Sequence, residues 1–220
     1  DDLSERVRPP CRDADGDRLT EDGLLGNMGN ILREMERFDE AILHLNQALT
    51  LAREVGDERG RGIWLANLGL VYDDMRQPED AVRLHEEAVS IARALGDQRG
   101  LAVRLGNLGN SYVALHQFQA AIPLFEESAL LYRDLGEKGL QAQRIGVIGN
   151  LYGALGRNTG SRRNQIEYQQ NALKYYVRTL EIVRELGDQR SEADLLRSIG
   201  SLHLDLRNTD EAIVSLDEME

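Results

Sequence analysis

Apolar residues recur along this chain as two helical stripes in each block of about 40 residues, with short polar turns between them. In the second block Ile63, Leu65, Leu68 and Tyr72 form one stripe, and Ala81, Leu84, Ala88 and Ile91 form the other. Both keep the three-to-four-residue step of a helix face. Between them Gln77-Pro78-Glu79-Asp80 places proline at a helix start, where its missing N–H costs little. Asn208 with Glu211 does the same job as a capping pair in the last block. The second stripe ends at Gly56-Asp57, Gly96-Asp97, Gly136-Glu137 and Gly187-Asp188, where glycine can adopt the left-handed conformation that stops a helix. First helices are therefore expected near 19–35, 59–75, 99–115, 139–155 and 190–206, and second helices near 38–55, 78–95, 118–135, 168–186 and from 209, with no strand.

A pentad keeps the register. It reads Leu25-Gly26-Asn27-Met28-Gly29, then Leu65-Ala66-Asn67-Leu68-Gly69 and Leu105-Gly106-Asn107-Leu108-Gly109, and it decays to Ile145-Gly146-Val147-Ile148-Gly149 and Leu196-Arg197-Ser198-Ile199-Gly200. Its second glycine advances by 40 residues three times and then by 51, so the fourth block carries an 11-residue insertion. Alanine follows twelve positions later at Ala41, Ala81 and Ala121, and at Ala172 and Ala212 once the insertion is allowed for. Glycine inside a helix costs roughly 1 kcal/mol relative to alanine. Five glycines at one repeat position therefore imply close approach of two helices, with alanine expected opposite. A fixed period in this range predicts stacked helical hairpins.

With the small residue at the glycine position go an aromatic three later (Tyr72, Tyr112, Tyr152), alanine twelve later, a large residue near four beyond (Leu45, Phe125, Tyr176), then Ala48 and Ala88. This pattern resembles the tetratricopeptide repeat. The 40-residue period and the Leu-Gly-Asn signature are most similar to its long-repeat branch, found in kinesin light chains, spindle-orientation scaffolds and many bacterial signalling proteins. The chain departs from it at Leu32 and His203 in place of tyrosine, and at Ser128 and Thr179 in place of the later alanine. The resemblance covers residues 16–220 and implies an all-α, right-handed superhelical solenoid of about five antiparallel helix pairs. The units fall at 19–58, 59–98, 99–138, 139–189 (with the insertion near 157–167) and a truncated 190–220. Gly16-Asp17 continues the register upstream, and residues 1–15, broken by Pro9-Pro10, are expected to be a degenerate cap or linker. The half-finished last unit suggests a fragment of a longer protein.

Composition narrows the chemistry. With 41% hydrophobic and 29% charged residues the chain can bury a core. No apolar run approaches a membrane span, and nothing resembles a signal peptide, which suggests a cytoplasmic protein. Cys11 stands alone, so no internal disulfide framework is expected. Lysine occurs only at Lys138 and Lys174, an arginine bias that suggests a bacterial genome rich in G and C. A net charge of −12 argues against nucleic acid and anionic membrane as partners. His44, His85, His116 and His203 lie in different units without ligand spacing, so no metal is expected. Gly153, Gly156 and Gly160-Ser161 lack the lysine and strand of a phosphate loop, and paired acids such as Glu86-Glu87 read as solvated faces. Neither catalysis nor a cofactor is expected.

A surface remains. At 100° per residue, positions four before and three and seven after the pentad's central residue lie within about 60° of it. Asn27, Asn67 and Asn107 thus share a face with Asn30, Asn110 and Asn150, with Ile63, Val103 and Gln143, and with Glu34 and Asp74. Asparagine is a poor helix former, and its amide both donates and accepts, which suits the backbone of an extended peptide. The resemblance implies that this face lines a concave groove. The expected function is a protein-interaction scaffold that binds a peptide or partner-protein segment, with a basic segment favoured by the chain's charge. The alternative is a sensor or autoinhibitory arm of a larger bacterial signalling protein, a nucleotide-switching regulator or a protease, gripping another part of the same chain. Arg157, Arg162 and Arg163 around the insertion are expected in a solvated, flexible turn, or else as a patch for an acidic partner.

Overall fold

The computed structural model describes residues 14–206, with side chains from residue 21 onward. Residues 1–13 of the cap expected at 1–15, Cys11, the Asn208–Glu211 pair, Ala212 and the helix from 209 lie outside the described residues. The chain divides into two compact units at Gly96. The first contains α1 (Ala14–Glu34), α2 (Phe38–Val55), α3 (Glu58–Asp74) and α4 (Pro78–Ala94). The second contains α5 (Gln98–Ala114), α6 (Phe118–Asp134), α7 (Lys138–Asn158), α8 (Arg162–Leu186) and α9 (Gln189–Asp205). No strand occurs among the described residues, and within each unit consecutive helices pack as antiparallel hairpins.

Local chemistry explains where the helices stop. Gly56, Gly96, Gly136 and Gly187 all take left-handed φ values between 65 and 73°. The acid after the glycine starts the next helix. Asp57 accepts from the Gly60 amide at 2.9 Å, Asp97 from Gly100 at 2.9 Å, and Asp188 from Ser191 at 3.1 Å, as N-caps do. Inside the first three hairpins the turn has no glycine. Glu36, Arg76 and His116, forty residues apart, adopt φ of 58, 61 and 58°.

Three expectations need correction. The first helix begins at Ala14, so Gly16-Asp17 lies inside it rather than at a stop. The insertion near 157–167 is not a flexible loop: α7 continues to Asn158 and α8 starts at Arg162. Along the lengthened helices a Cβ on Gly156 would lie 3.5 Å from Tyr168 Cβ of α8, an ordinary contact, while the nearest atom to one on Gly153 would belong to Arg157 of the same helix. Tyr152 stacks on Tyr175 with centroids 5.5 Å apart. Ser161 caps α8 by accepting from the Asn164 amide at 3.4 Å.

Nor is alanine the main residue opposite the second pentad glycine. A Cβ would stand 2.6 Å from Leu45 at Gly29, 2.6 Å from His85 at Gly69, 2.8 Å from Phe125 at Gly109 and 2.7 Å from Tyr176 at Gly149. Each glycine makes room for the large residue of the partner helix, at close-packed density. Ala41, Ala81, Ala121 and Ala172 are wholly buried one turn away. Ser128, in place of the later alanine, stays satisfied by donating to the Ala102 carbonyl at 2.7 Å, and Thr179 donates to that of Tyr175 at 2.8 Å. Leu45, Leu65 and Val71 centre the core of the first unit; Phe125 with Ile148, and Tyr176 with Ile199, centre two clusters in the second. Burying one such side chain contributes roughly 1.5–3 kcal/mol.

The first glycine of the pentad serves another contact, between first helices of successive hairpins. Trp64 of α3 lies on Gly26 of α1, and its indole N–H donates to the buried Asp22 at 3.2 Å. In the second unit the Arg144 guanidinium lies 2.7 Å from where a Gly106 Cβ would be, 5.9 Å from the Phe125 ring centroid. On α1 itself Leu24, Met28 and Ile31 are exposed, although their counterparts Trp64, Leu68 and Val71 on α3 are buried.

Candidate functional site

The pentad fixes which side of each first helix is buried, and so which side faces out. Leu25 and Gly29, Leu65 and Gly69, Leu105 and Gly109 turn toward the second helices. The residue between leucine and second glycine is left on the opposite side. In the first unit Asn27 is exposed and Asn30 half-buried on α1, with Glu34 exposed one turn on; Ile63, Asn67 and Asp74 extend the row on α3. In the second unit Val103, Asn107 and Asn110 line α5, and Gln143 and Asn150 line α7. All nine predicted site residues are exposed or half-exposed on the expected faces.

Their bonding differs. Among the described residues the side-chain amides of Asn27, Asn30, Asn67, Asn107 and Asn110 have no hydrogen-bond partner. Asn150 is engaged: its Oδ1 accepts from the Tyr176 hydroxyl at 2.6 Å. Burial pushes the Tyr176 hydroxyl up from its ordinary pKa, which keeps it protonated to donate. Asp74 is also engaged, held by Arg33 at 3.3 Å. Both partners are solvent-accessible, and an exposed pair of this kind is worth only about 0.2–1 kcal/mol. Glu34 is exposed. Neither Tyr176 nor Arg33 was legible as a partner, because each comes from a different helix or turn.

In the second unit α7, α8 and α9 enclose a cleft of about 390 Å³ that spacing alone did not reveal. Gln143, Val147 and Asn150 form one wall, Thr179 and Val183 the floor, and Asp194 and Leu195 the other wall. Of the arginines around the insertion, Arg157 lies in the last turn of α7, while Arg162 donates to Gln165 at 2.9 Å. Among the described residues no three His, Cys, Asp or Glu side chains gather as for a metal ion. No helix there is long and apolar enough to cross a membrane.

Comparison with known proteins agrees with this geometry. Family models described as tetratricopeptide repeat match residues 21–94 and 101–135. No curated protein matches in sequence. Among solved structures, the chain is similar to the nearly identical TPR-like repeats assigned to a kinesin light chain from Podosopora anserina (TM-score 0.71, 16% identity, 91% of this chain and 94% of that one). It is similar also to BtubC from P. vanneervenii (TM-score 0.75, 17% identity, 92% and 79%). A third is a signal transduction ATPase from Pyrococcus horikoshii with a tetratricopeptide repeat sensor (TM-score 0.73, 14% identity, 92% and 30%). At these identities the likeness is one of fold.

Proposed function

This chain is a tetratricopeptide-repeat protein, and from that premise we propose that it is an interaction scaffold whose first helices hold a partner segment in extended form. The observation that carries the reading is the row of unengaged amides, Asn27 with Asn67 in one unit and Asn107 with Asn110 in the other. A helix surface gains nothing from asparagine by propensity. An amide with free donor and acceptor can meet both groups of a peptide unit without selecting its side chain. Ile63 and Val103, 37% and 43% exposed, flank the amides and add apolar surface for the same segment. Glu34 and the net charge of −12 favour a segment bearing arginine or lysine.

Display of random twelve-residue peptides on phage, selected against the purified chain, tests this. Enrichment of basic, extended sequences whose association slows as salt rises is the expected result. Enrichment of none, or of acidic sequences only, would overturn it.

A second reading puts the partner in the same polypeptide, as a sensor arm. Its support is the ATPase above, in which repeats of this fold belong to a larger signalling chain. A longer protein that binds the displayed peptide as tightly as this chain alone would count against it.

A further inference from the structure

The cleft beside Gly146 is a vacant copy of a socket that the chain fills elsewhere with its own side chains. Residue 38 after the first pentad glycine occupies that socket: Trp64 on Gly26 in the first unit, Arg144 on Gly106 in the second. After Gly146 the counterpart, once the eleven inserted residues are allowed for, is Leu195. Leucine is too short to reach. The nearest atom to a Cβ on Gly146 would be Thr179 Cγ2, at 3.6 Å, and the space left open is the cleft of about 390 Å³, within the range of ligand pockets.

The lining says what would fit. Val147, Val183 and Leu195 offer apolar walls, Asp188 and Asp194 stand at the rim, and no lysine or arginine lines the cleft. Hydrogen bonds from Ser191 hold the Asp188 carboxyl below its ordinary range, so it is charged at neutral pH. Asp194 shares its charge with Arg197 at 3.2 Å, but both are exposed and the pair is weak. Arg144 shows that this fold accepts a guanidinium there: its planar head lies over the glycine and beside an aromatic ring.

We propose that the cleft between α7 and α9 takes the side chain of one arginine from the bound partner segment, in the place that Arg144 fills over Gly106. This rests on the interaction reading above and adds to it a residue-specific anchor, since unengaged amides alone read no side chain. A stem among valines with a guanidinium at two carboxylates suits arginine better than lysine, whose compact ammonium cannot form the same planar fork.

The test needs no knowledge of the partner. N-acetyl-arginine methylamide is titrated into isotope-labelled protein, followed by amide NMR shifts, with the lysine and tryptophan analogues alongside. Saturable shifts at Gly146, Val147 and Leu195, at least fivefold weaker with lysine or tryptophan and absent at Gly106, are expected. Leu195→Arg supplies the guanidinium from within and should abolish them. Asp194→Asn leaves the cleft open and should weaken binding at least threefold, which keeps the proposal testable if Leu195→Arg folds poorly. No saturable shift at those amides, equal shifts with all three probes, or a folded Leu195→Arg that binds as before would overturn it. If a displayed peptide still binds and depends on the asparagines while Leu195→Arg leaves its affinity unchanged, the socket falls and the scaffold reading stands.

Discussion

The imidazole of His85 fills the gap left by Gly69: a Cβ there would stand 2.6 Å from its Cε1. His85 is wholly buried, its Nε2 lies 3.1 Å from Asp73 Oδ2, and its Nδ1 is buried without a partner. The equivalent place over Gly29 holds Leu45. Replacing both partners of such a pair by apolar groups costs little, but removing one leaves the other without its contact. His85→Leu alone should therefore lower stability in urea melts, by about 1–3 kcal/mol. No loss would show that the pair with Asp73 contributes nothing to the hairpin.

Gly146 and Gly149, three residues apart on α7, should respond oppositely to the same change. At Gly149 a Cβ would meet the Tyr176 ring at 2.7 Å, whereas at Gly146 the nearest atom is 3.6 Å away. Gly149→Ala should cost about 1–3 kcal/mol by overpacking. Gly146→Ala should gain up to about 1 kcal/mol from helix propensity. Equal effects in a denaturant series would contradict this packing.

Arg76 sits left-handed at φ 61° in the turn between α3 and α4. For a residue with a Cβ that conformation costs about 1–2 kcal/mol, offset in a glycine variant by about 0.4–1 kcal/mol of extra unfolded-state freedom. Arg76→Gly should therefore raise the melting temperature slightly. A fall would mean that the arginine side chain contributes more than its backbone costs.

Tyr152, Tyr175 and Tyr176 all have hydroxyls pushed above the ordinary tyrosine pKa by burial, and Tyr175 further by its hydrogen bond to Glu126. Folded protein thus keeps these protons longer than the unfolded chain does. Their contribution is complete below about pH 10 and is lost as pH rises beyond it. Urea midpoints measured from pH 8 to 11.5 should fall above pH 10, and less steeply in Tyr175→Phe. Parallel curves for the two proteins would contradict the assignment.

Much of this was legible because it is local. The glycine stops, the proline start at Pro78 and the helical period need only a few neighbouring residues, and they appear where the spacing puts them. The exposed faces of Asn27, Asn67 and Asn107 follow from the same period. What escaped depends on register between helices. Only the pairing of α3 with α4 puts His85, rather than Ala81, directly on Gly69. Only the approach of α8 makes Gly156 a helix contact instead of a loop signal. Asn150 looked equivalent to Asn110, yet Tyr176 takes its acceptor.

Peptide capture by the asparagine row is the central claim, and calorimetric titration tests it most directly. The best peptide from the phage selection is titrated into the wild-type chain and into the Asn67→Ala, Asn107→Ala double variant. Leaving partner amides unpaired should cost about 1–3 kcal/mol of binding, while the melting temperature barely changes, since neither side-chain amide bonds to another described residue. Unchanged affinity together with a lowered melting temperature would show that the asparagines hold the fold, and that the partner binds elsewhere.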